Sequence, residues 1–331
     1  MKLISLMFIV LFSVNVSAQI KNYVFIGMDR EQLQDTDKWA TNRLFDGVQV
    51  AYSWNQLEPE KDNYDFSLIK EDLALLEKYG KKLFIQIQDV SFQMKWNFTP
   101  PYLLNDTIYH GGANKQYSFT NYEEKEYIDL GWVVRRWDKE VQKRLHKLYA
   151  TLGKEFDGII EGVNTEETSV TFGKGPLLPP GFTFFRYKDT FIENMIALKA
   201  AFPKSIVMVY ANFMPGGYLP YEDSTLLKAV YEAAWKNNIA VGGPDLFPFK
   251  KEQMENSYQY IKLSYNKVPT ALAVQDGNYE FVNPQTKQPV NASDIYYFAQ
   301  NYLHLNYIFW GTEEPYFYQN TISFLKSLKS K

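Results

Sequence analysis

"GVQVAYSWNQLEPEKDNYDFSLIKEDLALLEKYGKKLFIQIQ", residues 47–88, has a strand-like run at each end and a helix-like run between them. The two runs, 47–54 and 82–88, are rich in the β-branched and aromatic residues that strands favour. The helical pattern starts near Ser67 and stops at Gly80, a residue type that suits the position just after a helix. This alternation continues along the chain in both directions.

Six further strand-like runs are separated by helical patterns, and they are residues 22–28, 157–163, 205–212, 239–243, 270–275 and 306–311. The pattern "RWDKEVQKRLHKLYATLG", for example, places its aliphatic residues on one helical face, namely Val141, Leu145, Leu148 and Leu152. Eight strands, each followed by a helix, predict the α/β class and a (β/α)8 TIM barrel, which about 310 residues suit well. No repeat or linker interrupts the pattern, so we expect one domain over residues 19–331.

The connection after the third strand, residues 89–137, is far longer than a usual loop between a strand and its helix. It is rich in Asn, Gly, Pro and Tyr. We expect this long loop to cover the carboxyl ends of the strands and to form one wall of a binding site.

The composition narrows the possible classes of function. A net charge of −3 without a basic stripe argues against a nucleic-acid partner. The absence of cysteine excludes thiol catalysis, disulfides and thiolate metal sites. Of three histidines, His146 and His304 lie in helical patterns, which argues against a Ser-His-Asp triad or a His-rich metal site. We therefore expect neither a metal nor an organic cofactor.

The first 18 residues, "MKLISLMFIVLFSVNVSA", have the pattern of a signal peptide. Lys2 supplies the positive charge, Leu3–Phe12 the short apolar run, and Val16-Ser17-Ala18 the small residues before a cleavage site. The run is short for a membrane span, and no other stretch is apolar over 18 residues. We expect cleavage before Gln19 and a secreted or periplasmic chain that is not bound to a membrane.

The carboxyl ends of the strands, where TIM barrels bind ligands, carry carboxylates, amides and aromatic residues without a cationic cluster for phosphate. Such side chains suit a neutral ligand with many hydroxyl groups, because amides and acids bind hydroxyls and aromatic rings stack on sugars. The high aromatic content, 17%, fits this interpretation, although a Tyr-rich core also explains much of it.

The segment "YSWNQLEPEKDNYDFSLI", residues 52–69, resembles the signature that follows strand two in the (β/α)8 glycoside hydrolases of the large retaining superfamily, which includes beta-galactosidases. The resemblance implies a glycosidase that cleaves an oligo- or polysaccharide by two-carboxylate acid/base chemistry. It also implies that Glu58 and Pro59 mainly shape the turn. Trp310 matches the superfamily's strand-eight tryptophan, which forms the floor of the sugar site, although a core-packing role is equally open.

In this superfamily a general acid/base Glu ends strand four, usually just after an Asn. The chain has Asn164-Thr165-Glu166-Glu167 at this point. Glu166 is the first candidate for the acid, because it lies two residues past Asn164 and both then point to the same side of an extended strand. Glu167 is the second candidate. The alternative, two solvated loop residues, stays open.

The superfamily nucleophile is a Glu that ends strand seven, where this chain has "TALAVQDGNYE". Because Ala271 and Ala273 share a face with Gln275 while large aliphatic residues occupy the other face, Gln275 is predicted to point into the barrel. An amide cannot form a glycosyl ester as a carboxylate does. The second carboxylate is then Asp276, which we favour, or one of two further glutamates, Glu313 and Glu314.

Two functions follow from this pattern. One is a secreted glycoside hydrolase, with Glu166, or Glu167 as the second candidate, as the acid and with Asp276, Glu313 or Glu314 as the partner carboxylate. The other is a catalytically silent carbohydrate-binding barrel. In either case the residues expected to bind the sugar are Tyr52, Trp54, Gln88, Asn164, Asn212, Gln275, Trp310 and Glu314.

Overall fold

The computed structural model describes residues 19–40, 43–121, 126–172, 178–216 and 225–329, so the predicted leader, residues 1–18, lies outside the described residues. Within them the strands are Lys21–Phe25 (β1), Gly47–Ser53 (β2), Lys82–Gln88 (β3), Val90–Ser91 (β4), Ala113–Asn121 (β5), Glu126–Val134 (β6), Gly162–Thr165 (β7), Ile206–Tyr210 (β8), Ala240–Gly243 (β9), Thr270–Val274 (β10) and Tyr307–Gly311 (β11). Eight of them form a closed parallel barrel in the order β1-β11-β10-β9-β8-β7-β3-β2. The predicted (β/α)8 barrel is therefore confirmed.

Helices surround the barrel. They are Thr36–Trp39 (α1), Trp54–Leu57 (α2), Ser67–Lys78 (α3), Pro101–Asn105 (α4), Lys139–Phe156 (α5), Phe184–Ala201 (α6), Thr225–Lys236 (α7), Lys251–Glu255 (α8), Ser257–Leu263 (α9), Asp276–Glu280 (α10), Ala292–Phe298 (α11) and Ser323–Lys329 (α12). The aliphatic face of α5 is buried as predicted, and Gly80 follows α3 with a φ of +65°. Among the described residues no helix combines the length and the apolar character that a membrane crossing requires.

The amino-terminal half of the barrel interior is filled by aromatic rings. Tyr23, Phe84, Tyr307 and Phe309 are all buried, and the ring centroids of Phe84 and Phe309 lie 5.2 Å apart. A Cβ atom on Gly162 would lie 2.6 Å from the Phe84 ring, so only glycine leaves room for this packing. These rings fill the barrel towards its amino-terminal end, and the cleft described below lies at the carboxyl end.

The fourth barrel strand, β7, begins later than the predicted run 157–163. Residues before Gly162 form a turn instead, because Gly158 adopts a φ of +80° and the Asp157 carboxylate accepts the backbone N–H groups of Lys204 and Ser205. Glu161 consequently lies at the amino end of the strand, where its carboxylate contacts the Lys21 ammonium at 2.6 Å. It is separated from Glu166 by the length of β7.

The long connection after β3 contains its own three-stranded antiparallel sheet, in the order β4-β6-β5. The sequence analysis predicted a loop here and did not predict these strands. The sheet is anchored to the segment after β7, because Tyr117 donates its backbone N–H to the Thr171 carbonyl at 3.0 Å, and Thr171 donates its own to the Gln116 side chain. We call this sheet with its connecting segments, residues 89–137, the roof.

The turn after β2 is held by a buried ion pair, as the resemblance implied for Glu58. The Glu58 side chain is fully buried and accepts hydrogen bonds from the Trp54 indole at 2.9 Å and from the Arg144 guanidinium. Arg144 also contacts Asp62 at 2.7 Å. This cluster fixes the path from β2 to α3 and attaches it to α5.

Candidate active site

A cleft of about 280 Å³ opens at the carboxyl end of the barrel, between the strand ends and the roof. Two carboxylates and several amides and aromatic rings line it, namely Glu166, Glu167, Gln86, Gln88, Gln93, Gln275, Phe92, Trp96 and Tyr210. Within the described residues no lysine or arginine is part of this lining. The expectation that the 89–137 connection forms one wall is confirmed, because Val90, Ser91 and Phe98 also line the cleft.

Glu166 and Glu167 follow β7 directly and reach the cleft together. Burial, together with the nearby charges of Glu167 and Asp89, raises the pKa of Glu166 to about 8. Burial also raises the pKa of Glu167, to about 7, although a hydrogen bond from Asn212 opposes this effect. Glu166 is buried and Glu167 is half-buried, so the open alternative of two solvated loop residues is wrong.

Asn212 follows the neighbouring strand β8 and donates its side-chain amide to the Glu167 carboxylate. Its own position is fixed by Thr168, whose hydroxyl accepts the Asn212 backbone N–H at 3.2 Å and donates to the Phe213 carbonyl at 2.7 Å. A donor of this kind favours the ionised carboxylate. Asn212 was predicted to bind substrate, but its side-chain amide is hydrogen-bonded to Glu167 instead.

A buried ion pair that the sequence analysis missed lies behind the two glutamates. The Arg136 guanidinium contacts the Asp89 carboxylate at 2.7 Å and donates to the Glu167 backbone carbonyl at 3.2 Å. Its positive charge lowers the pKa of both Glu166 and Glu167 and so moderates the effect of burial. The available signal was a pair of arginines, Arg135-Arg136, at the point where the roof returns to the barrel.

A third carboxyl group lies close to the pair. Asp245 follows β9, and its charge contributes to the raised pKa of Glu167, while burial raises the pKa of Asp245 itself. Its neighbour Pro244 lines the cleft and accepts the side-chain amide of Gln275 at 3.0 Å. Asp245 follows the predicted strand 239–243, so its position at a strand end could be read from the sequence, but it was not predicted to be a site residue.

The prediction that the Gln275 side chain points into the barrel is confirmed. Ala271 and Ala273 lie inside the barrel, Leu272 and Val274 lie against the helices, and Gln275 lines the cleft. It is placed three strands further round the barrel than β7. Gln88, another predicted contact, also lines the cleft.

Three predicted contacts with the sugar are wrong, because their side chains point outward between barrel and helices. The Tyr52 hydroxyl donates to Asp72 at 2.6 Å, the Trp54 indole to Glu58, and the Trp310 indole to Asn22 at 2.9 Å. Tyr52 shares its face with Val48 and Val50, and Trp310 shares its face with Ile308. The alternation that placed Gln275 correctly also gives these positions.

Asn164 lies inside the barrel beneath the cleft and does not line it. It is fully buried and accepts the Gln49 side-chain amide at 2.9 Å, and the same amide donates to the Tyr210 hydroxyl at 3.1 Å. This network supports the residues above it, and the expected direct contact of Asn164 with a sugar is wrong because the side chain is fully buried below the cleft.

The remaining carboxylate candidates lie outside the lining of the cleft. Asp276 is exposed at the start of α10, where its side chain accepts the backbone N–H of Gly277 at 2.7 Å. Glu313 and Glu314 follow β11 and are also largely exposed, although partial burial raises the pKa of Glu313, with a smaller contribution from Asp276. The structure therefore places Glu167, and not these three, beside Glu166.

The comparisons with known proteins show the fold. No protein-family model matches the chain, and neither does any curated protein sequence. Among solved structures it is similar to xylanase 10B from Thermotoga petrophila RKU-1 in complex with xylobiose, with a TM-score of 0.52, 12% identity, and coverage of 88% of this chain and 82% of the other.

It is also similar to a GH5_18 protein from Bifidobacterium longum subsp. longum ATCC 55813 in complex with Manb1-4GlcNAc, with a TM-score of 0.52, 12% identity, and coverage of 88% and 68%. A family 39 glycoside hydrolase from Bacteroides cellulosilyticus WH2 aligns with a TM-score of 0.47 and 13% identity over 89% of this chain, which spans 56% of that protein. These neighbours are glycoside hydrolases built on the same barrel.

Proposed function

We propose that the chain is a carbohydrate-active enzyme that hydrolyses glycosidic bonds, with Glu166 as the general acid and Glu167 as the ionised partner. The observation that carries this proposal is the placement of both carboxyl groups on the cleft wall, where the Asn212 side-chain amide donates a hydrogen bond to Glu167. Burial raises the pKa of both carboxyl groups, and the hydrogen bond from Asn212 favours the ionised form of Glu167, so Glu166 is the group that keeps its proton more readily.

In the proposed reaction Glu166 gives its proton to the leaving oxygen while the bond from that oxygen to the anomeric carbon breaks. Glu167 stabilises the positive charge that develops on the sugar and takes a proton from the attacking water, whose oxygen forms the new bond. Asn212 and Arg136 support the ionised state of Glu167. Phe92 and Trp96 are 40% and 47% exposed on the cleft wall and offer rings for stacking on the sugar.

The experiment is product analysis after incubation of the chain with a panel of plant and algal polysaccharides, including xylan and mannan. The proposal expects soluble products from at least one polysaccharide, and no products when Glu166→Gln replaces the wild-type chain. Absence of products from every polysaccharide, with binding retained, contradicts hydrolysis.

A second function is favoured by one observation, the amide of Gln275 on the cleft wall opposite the glutamates. In a catalytically silent carbohydrate-binding barrel the same amides and rings would hold a glycan without cleaving it. Affinity electrophoresis on the same polysaccharides separates the two functions. Migration of a binding barrel is retarded in a gel that contains the polysaccharide, but the length of the polymer stays unchanged.

We also propose export of the chain, on the basis of the leader pattern at residues 1–18. N-terminal sequencing of the protein recovered from the periplasm or the medium should begin near Gln19. A chain that retains Met1 contradicts this proposal.

A further inference from the structure

Strands β5 and β6 of the roof form a hairpin whose two faces differ. Cross-strand partners share a face of the ribbon, and the register pairs Lys115 with Trp132 and Tyr117 with Asp129. A bulge between these pairs, at Leu130, keeps the pairs on one side. The opposite face carries Gln116, which is buried and donates to the Ser91 carbonyl at 2.9 Å. We call the first face the outer ribbon face.

The outer ribbon face carries aromatic rings with one ion pair between them. The Tyr117 and Tyr127 rings meet edge to face, with centroids 5.1 Å apart, and Tyr127 is 46% exposed. The Lys115 ammonium contacts Asp129 at 2.6 Å and lies 5.8 Å from the centre of the Trp132 ring. Rings that alternate with hydrogen-bonding groups match the surface of a glycan, which has apolar C–H faces and a hydroxyl edge.

The outer ribbon face continues into the cleft through Ser91, the cross-strand partner of Trp132. The Ser91 hydroxyl accepts the Trp132 backbone N–H at 3.1 Å and donates to the Trp96 carbonyl at 2.6 Å. The Trp132 indole donates to the Met94 carbonyl at 3.2 Å, which places that ring against the segment that carries Phe92 and Trp96 into the cleft. The aromatic surface therefore runs from the cleft wall onto the hairpin.

We infer that the ligand is a polymeric glycan, whose chain leaves the cleft over Trp96 and lies along the outer ribbon face. The hairpin strands have nine residues each, so they extend over roughly 25–30 Å, more than a disaccharide can cover. A ligand of one or two sugar units leaves Tyr117 and Tyr127 uncontacted. The inference rests on the proposed carbohydrate function of the cleft, and it adds that the surface selects long chains.

The test compares affinities for long and short ligands in the Glu166→Gln chain, in which cleavage cannot obscure binding. Soluble xylan, galactomannan and the other polysaccharides of the panel are measured by affinity electrophoresis, and the matching disaccharides by calorimetry. We expect Tyr117→Ala with Tyr127→Ala to lower the ratio of polymer affinity to disaccharide affinity about tenfold. The matched control is Ile128→Ala, since Ile128 is 55% exposed on the same hairpin but on the opposite face.

An unchanged ratio in the double tyrosine variant overturns the inference, as does an equal loss in the Ile128→Ala control or a lack of binding to every polysaccharide. Failure of the proposed hydrolysis is distinguishable from these outcomes. In that case the wild-type chain releases no products, yet the length preference and its loss in the tyrosine variants persist. Hydrolysis with no change in the ratio leaves the proposed function standing and removes only the inference about the hairpin.

Discussion

The side-chain amide of Asn212, at the end of β8, donates a hydrogen bond to the carboxylate of Glu167, at the end of β7. This contact gives two neighbouring glutamates different chemistry. The bond favours the ionised form of Glu167, and the resulting negative charge contributes to the raised pKa of Glu166. The two adjacent carboxyl groups thus differ in how readily they hold a proton, as the proposed acid and base require.

Replacing Glu166 by Gln should lower turnover on a confirmed substrate by at least about 100-fold, because an amide cannot donate the proton that a general acid supplies. Affinity should change little. The matched control is Glu161→Gln, the same substitution at the opposite end of β7, and it should keep near-normal turnover. Steady-state kinetics on all three chains check this. Near-normal turnover in Glu166→Gln contradicts the assignment and makes Glu167 the next candidate for the acid.

Asp276→Asn should leave turnover within about twofold of wild type, since this exposed carboxylate does not line the cleft and surface substitutions of this kind have small effects. The sequence alone favoured it as the partner of Glu166. Initial rates of wild type, Asp276→Asn and Glu167→Gln, measured on the same substrate, check this prediction. A loss in Asp276→Asn as large as that in Glu167→Gln would restore Asp276 as the partner.

Asn212→Ala should move the acidic limb of the kcat/KM profile to higher pH. The substitution removes a hydrogen bond that lowers the pKa of Glu167, so the base loses its charge at a higher pH than in the wild-type chain. Rates measured from pH 5 to pH 9 report the shift. Asn237→Ala, at the residue directly after α7, serves as control and should not move the limb. A limb that stays in place in both variants shows that Glu167 does not act as the base.

Stability should fall as pH rises between about 5 and 8, and the two site glutamates should cause part of this fall. In the unfolded chain both titrate near 4.3, whereas in the folded chain their pKa values are about 8 and about 7. The folded chain then binds more protons than the unfolded chain over this interval, so the free energy of unfolding decreases.

The double variant Glu166→Gln with Glu167→Gln should therefore be more stable than wild type at pH 8, by at least about 1 kcal/mol, and the difference should shrink at pH 5. Glu77→Gln with Glu252→Gln removes the same charge from exposed helices and should not reproduce this pattern. Urea unfolding at the two pH values provides the measurement. A double variant no more stable than wild type at pH 8 would contradict the enclosed state of the pair.

Arg144→Ala should destabilise the chain by about 3–5 kcal/mol, because it leaves the fully buried Glu58 carboxylate without its cation. Lys143→Ala, one position earlier, breaks an exposed ion pair with Glu140 and should cost less than about 1 kcal/mol. Chemical denaturation of each chain gives the difference. Combining Arg144→Met with Glu58→Gln should recover part of the loss, and an unchanged loss would show that the charge is not its cause.

The barrel and one wall of the site could be predicted from the sequence because they depend on local periodicity. The alternation of Ala271 and Ala273 with Leu272 and Val274 was enough to point Gln275 into the barrel. The same rule places Trp310 on the outer face with Ile308, but the resemblance to a glycosidase signature favoured the opposite side. The resemblance of the motif indicated where along the chain the site lies. The direction of each side chain had to be inferred from the alternation of faces along the strand.

The contacts that give the glutamates their properties could not be predicted, because they join residues far apart in the chain. Arg136 meets Asp89 across 47 positions, and Asn212 meets Glu167 across 45. Neither pair lies in a recognisable motif. The hairpin was missed for a related reason, since β5 and β6 carry many polar residues and their pairing depends on a register that composition does not reveal.

The roof leaves and rejoins the barrel at a single point. Val90 pairs with Val133, and the Asp89 carbonyl accepts the Val134 backbone N–H at 2.9 Å. A segment whose two ends are paired with each other can change its length at little entropic cost, because each doubling of the loop length costs only about 0.6 kcal/mol. The part of the insertion beyond the contacts of Gln116 and Tyr117 with Thr171 can therefore vary in length at little entropic cost, while these contacts hold the base of the hairpin against the barrel.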